Sequence, residues 1–178
     1  LLAIEPASQE ARVPVRQRWL PGGDVGVLQT VNAMRDVVRA SLAAPVVRLT
    51  AEAAVEGATD PVTQWRLLRN WLATHTQFLA DPPNLELVRT PVEQLRRIAR
   101  DGIMRGDCDD VATLAAALTL ALGRPARFAV LGFFQPGPAT PYRHIFTEMQ
   151  TAPDVWRDFD VTRRPGSLPA SRRMTLPV

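Results

Sequence analysis

The sequence has no lysine: all 21 of its basic residues are arginine, set against 18 acids, for a formal net charge of +3 and an isoelectric point near 10.3. Arginine keeps its charge and binds carboxylates or phosphates as a fork. A GC-rich codon usage leaves the same imprint, so no charged partner is read from composition alone. There is one cysteine, Cys108, which excludes an internal disulfide and any dependence of the fold on an oxidising compartment. There are two histidines, His75 and His144, and with one cysteine these are too few for a structural zinc site. No run approaches the ~20 apolar residues of a membrane span. Leu1 to Ile4 is too short for a signal peptide before Glu5 and Pro6 interrupt it. The first residue is not Met, which leaves room for a removed leader and hence for secretion.

What is present is a chain of 178 residues, 46% hydrophobic, long enough for one domain with a real core. Sixteen prolines and ten glycines gather toward the ends and the loops. Residues 1–26, with Pro6, Pro14, Pro21 and Gly22-Gly23-Asp24, read as an extended N-terminal arm. Apolar Val27, Val31, Met34, Val38 and Leu42 stand at helical spacing, and a second short helix is expected over 46–55. Asp60-Pro61 opens a third helix to about Thr76, striped by Trp65, Leu68 and Leu72, and Thr90-Pro91 opens a fourth over 92–99. Residues 78–86 are expected to form a loop. After Gly123 the period changes to that of strands, over 126–134, 142–150 and 155–161, with a Pro/Gly loop at 135–141. Residues 163–178 read as an extended C-terminal tail. Helices followed by an antiparallel sheet make an α+β domain over 27–162.

Between the fourth helix and the strands stands Gly106-Asp107-Cys108-Asp109-Asp110, followed by an Ala/Leu-rich helical run to Gly123. The only thiol thus falls in the first turn of a helix, where unpaired N–H groups and the helix dipole favour a thiolate. Asp107 is placed to cap that helix, and Asp109 and Asp110 complement its dipole while working against the thiolate by their charge. Asp107 and Asp109 begin like a calcium loop, but Ala112 and Leu118 occupy the positions that need Gly and Glu. Neither a metal nor a cofactor is expected. A thiol nucleophile needs a base, and the base needs a group to orient it. His75 ends an amphipathic helix and reads as solvated or capping. His144 begins a strand, and Asp160 lies on the next, so Cys108, His144 and Asp160 are the candidate catalytic residues. The aromatics Trp65, Trp71, Phe128, Phe133, Trp156 and Phe159 read as core.

Three blocks carry a resemblance. Gly106 to Gly123, His144 to Glu148 and Trp156 to Thr162 resemble, in order, the cysteine, histidine and aspartate blocks of the transglutaminase-like superfamily. The resemblance implies a papain-like core and a Cys-His-Asp triad at Cys108, His144 and Asp160, with Asp158 the competitor for the last place. Within the superfamily, Gly26 to Val31 with Met34-Arg35, Asp81-Pro82 and Thr90-Pro91 are most similar to small proteins of tailed bacteriophages and prophages. That implies expression in the bacterial cytoplasm during phage assembly, or a place in the virion, with the terminal arms threaded among other virion proteins.

The chemistry expected is acyl transfer through a thioester, on a peptide or protein substrate, with Gln77 a candidate second oxyanion donor. A chain without lysine cannot be its own lysine amine donor, which favours water as acceptor and a thiol protease or amidase. The alternative is a virion assembly protein that keeps the fold with little or no activity. Nucleic-acid contact through Arg163, Arg164, Arg172 and Arg173 is disfavoured, since no base-reading module accompanies them.

Overall fold

The computed structural model describes residues 23–82, 87–133, 142–163 and 169–178. The N-terminal arm up to residue 22, the loop at 135–141, and Arg164 therefore lie outside the described residues. The chain order is α1 (Gly23–Ser41), α2 (Pro45–Ala54), α3 (Pro61–His75), β1 (Thr76–Phe78), α4 (Pro91–Asp101), β2 (Met104–Gly106), α5 (Cys108–Ala121), β3 (Ala126–Phe133), β4 (Tyr142–Ala152), β5 (Val155–Asp158) and β6 (Ala170–Pro177).

Local chemistry explains where the helices start and stop. Asp60 accepts the N–H groups of Val62 and Thr63 at 3.1 and 3.0 Å, with Pro61 in the first helical position of α3. Thr90 accepts the N–H of Glu93 at 3.2 Å and opens α4, which ends at Gly102 with φ 76°. α1 starts at Gly23, inside the segment expected to be an extended arm, with Asp24 in its first turn, where a carboxylate complements the helix dipole.

α5 is the centre of the domain. It packs against α1, α2 and β4, and every residue from Asp109 to Thr119 is buried. An Ala/Leu composition suits a helix enclosed on all sides, since small side chains let its neighbours approach. Leu114 and Leu118 meet Phe128, Met149 and Phe159 in one core cluster. Of the aromatics expected in the core, Phe128 and Phe159 are fully enclosed. Trp65, Trp71, Phe133 and Trp156 are half-buried.

The sheet has four strands in the order β5-β4-β3-β6, antiparallel throughout. β4 returns into β5 through Pro153-Asp154, where Asp154 takes φ 58°. β5 ends at Asp158, three residues short of the strand expected there. β6 corrects the expectation of a tail: Arg127 to Phe133 pair with Pro177 back to Ala170, so the C-terminal segment is an edge strand of the domain. A further departure is a two-stranded parallel pair of β1 and β2, formed partly by residues expected to lie in a loop.

Candidate active site

Cys108 is the first residue of α5 and is half-buried against the core. β4 is tied to the following turn of the helix: Thr147 Oγ1 donates to the Ala112 carbonyl at 2.7 Å. Ala112 stands one turn after Cys108, and Thr147 three residues after His144. The helix that begins with the thiol is therefore docked on the strand that carries the imidazole.

His144 and Asp160 meet directly. His144 Nε2 donates to Asp160 Oδ2 at 2.9 Å, and both side chains are nearly enclosed, 12% and 11% exposed. The other carboxylate oxygen, Oδ1, accepts the Arg163 N–H at 3.2 Å. α3 holds the backbone of this segment from behind, with Trp65 Nε1 donating to the Asp158 carbonyl at 2.8 Å and Arg69 Nη2 to that of Asp160 at 3.4 Å. Asp158, the competing acid, turns its carboxylate back to accept the Asp160 N–H at 3.1 Å. With Nε2–H committed to Asp160, a neutral His144 keeps its lone pair on Nδ1. His75 is otherwise engaged: its Nδ1 donates to the Trp71 carbonyl at 2.8 Å and its ring stacks on Trp71.

The acids around the thiol are arranged differently from the sequence expectation. Asp107 occupies the cap position but makes no capping bond, and its Oδ1 is buried without a hydrogen-bond partner among the described residues. Asp110 does not decorate the dipole from solvent; it is fully buried. Its Oδ1 accepts from the Arg89 N–H at 3.2 Å and from Gln94 Nε2 at 3.3 Å, and its Oδ2 pairs with Arg89 Nη1. Burial, then the charge of Asp107, pushes the Asp110 carboxyl up to about 6 against the pull of Arg89. Arg89 also reaches Asp81 at 3.8 Å. The oxygens of Asp107, Asp109 and Asp110 converge within 4.8 Å, the outline of a cation site, but Arg89 and Gln94 already occupy both oxygens of Asp110.

Gly106 makes this burial possible. A Cβ there would stand 2.7 Å from Asp110 Cβ, closer than real side chains approach. Arg89, Gln94 and Asp81 were not visible as site residues in the sequence, where single polar residues around Thr90-Pro91 show no periodicity. Gln77 lies on the exposed side of β1, with its Oε1 accepting from Arg105 Nε at 3.0 Å. Arg172 pairs with Asp24 and Arg173 with Glu148, so two of the arginines weighed for nucleic acid are engaged within the protein.

Comparison with known proteins agrees with the blocks. Two solved structures share the fold. One is a candidate cysteine protease from Cytophaga hutchinsonii, at 19% identity and a TM-score of 0.51 over 72% of this chain and 41% of that one. The other is a candidate protease from Parabacteroides distasonis ATCC 8503, at 11% identity and a TM-score of 0.53 over 68% of this chain and 24% of that one. The chain thus spans less than half the length of either. No curated protein matches it in sequence. The model of the transglutaminase-like superfamily matches residues 48–161, more than half of the chain and all of the three blocks but Thr162, and the protein belongs to that superfamily.

Proposed function

We propose that the protein is a thiol protease or amidase that cleaves a peptide or amide bond through a thioester on Cys108. The observation that carries this reading is the His144–Asp160 hydrogen bond, which leaves Nδ1 as the basic nitrogen in a chain whose only thiol opens a helix docked on the same strand. In the proposed cycle His144 takes the thiol proton and Cys108 attacks the carbonyl carbon. The backbone N–H of Cys108 faces the developing oxyanion. The C–N bond then breaks, and the departing amine takes the proton from His144. Water, deprotonated by His144, attacks the thioester; the C–S bond breaks, the acid leaves, and the thiol recovers its proton. Asp160 holds the imidazole in the required tautomer and stabilises its cationic form.

The absence of lysine favours water over an amine acceptor. A phage or prophage origin, with action in the bacterial cytoplasm during assembly or in the virion, is proposed on sequence resemblance alone. The rival assembly reading drew on the Pro/Arg-rich termini and on the acids around Cys108, and residues 170–177 of one terminus form strand β6 of the domain.

The test is the rate of iodoacetamide alkylation of Cys108 against pH, in the native protein and in His144→Ala. The expected result is a thiol titrating well below the ordinary ~8.5, with the shift lost in the variant. Slow alkylation with an ordinary pH profile in both proteins would overturn the enzyme reading.

A further inference from the structure

A bond cleaved at Cys108 has to be held beside it, and the β1–β2 pair has features suited to that task. Thr76, Gln77 and Phe78 stand opposite Met104, Arg105 and Gly106, and β2 runs directly into Asp107 and Cys108. Residues in register on neighbouring strands share a face. Phe78 therefore shares a face with Met104, which is fully buried, and with Gly106, against whose Cα the Asp110 side chain packs. That is the face on which α5 begins. Phe78 is nonetheless 54% exposed there.

A single exposed ring is ordinary on a protein surface. Here a second feature accompanies it. The Leu79 N–H donates to the Gly106 carbonyl at 2.8 Å, which continues the ladder past β1. In a parallel ladder this turns the backbone groups of Gln77 and Leu79 toward β2 and those of Phe78 toward the opposite edge. No other strand of the described residues pairs with β1 along that edge. An open N–H and C=O beside an exposed apolar side chain are the components of peptide binding by strand addition.

Building on the reading of Cys108 as nucleophile, we propose that the open edge of β1 receives the substrate polypeptide as an added strand, and that Phe78 selects an apolar residue on it. Leu79 is as exposed, at 56%, but alternates to the other face with Gln77 and Arg105 and takes no part.

The experiment compares two acetyl-X-Gly chloromethyl ketones, with X either Leu or Ser, as alkylators of Cys108; the thiolate displaces chloride in each. Iodoacetamide serves as the reagent without a peptide. The expected result is a rate ratio of Leu to Ser of about 10 or more, falling to near unity in Phe78→Ala and retained in Leu79→Ala, with iodoacetamide rates unchanged. A ratio near unity in the native protein, or one that survives Phe78→Ala, overturns the subsite while the nucleophile stands. A Cys108 that reacts with iodoacetamide no faster than an ordinary thiol overturns the nucleophile, and the subsite falls with it.

Discussion

The direction of one hydrogen bond decides what the imidazole can do. His144 gives Nε2–H to Asp160, so removing that carboxylate frees the ring to adopt the other tautomer and to rotate about its side-chain bonds. Asp160→Ala is therefore expected to lower turnover of an activated ester such as p-nitrophenyl acetate by about 10²-fold or more. Asp158→Ala is expected to cost far less, since that carboxylate serves the Asp160 N–H and does not touch the ring. Equal losses in the two variants, in proteins of unchanged melting temperature, would refute the assignment of roles. At this scale the sequence was informative where a family block carried the signal: the resemblance of Trp156 to Thr162 to the aspartate block pointed to Asp160, with Asp158 the competitor, and it is Asp160 that meets His144. Arg89 had no such signal. A lone arginine before Thr90-Pro91 looks the same whether it is solvated or neutralises a buried acid 21 residues away.

Among the elements, α5 shows how far a helix pattern can be read. Its Ala/Leu run announces a helix, and its composition announces burial. The fate of the first turn does not follow from either. A helix buried on every side takes its N-terminal acids inside with it, and Asp110 then requires a cation, which the loop before α4 supplies. Asp110 is half ionised near 3.8 in the unfolded chain and at about 6 in the folded one. The folded state thus binds more protons in that window, and Asp110 makes stability fall as pH rises through it and level off above. In Arg89→Ala the ionised carboxylate is left with Gln94 and one backbone N–H. The expected destabilisation is about 3 kcal/mol at pH 8, shrinking as the pH is lowered toward 5 and Asp110 takes up a proton. Urea midpoints of the native and variant proteins at the two pH values check this. A penalty that is the same at both, or larger at pH 5, would contradict a charge-compensating role for Arg89.

For the molecule as a whole, the order of helices before an antiparallel sheet was legible, and the last strand was not. Met174, Leu176 and Val178 recur at every second position, a period-2 pattern, but Arg172-Arg173 and the prolines around it suggested an extended tail. An edge strand with one face half exposed carries only half of the usual apolar signal. In the fold, β6 covers β3 from Phe133 to Arg127, and Met174 and Leu176 pack on the main core. Arg173 joins Arg127 in neutralising the buried Glu148, while Arg172 pairs with Asp24 and the Pro177 carbonyl accepts from Arg35 Nε at 2.6 Å, both across to α1. The C-terminus thereby links the first helix to the sheet. A dispensable tail could be removed at little cost. Deleting 169–178 is instead expected to lower stability by about 3 kcal/mol or more, from two half-buried apolar side chains and the lost ladder, with the urea midpoint as the measurement. Replacing Met174 and Leu176 by Ser in the full-length chain separates packing from pairing, since the backbone ladder can remain. A truncated protein with the native midpoint would return residues 169–178 to the status of an arm, and with it the case for an assembly role would regain its footing.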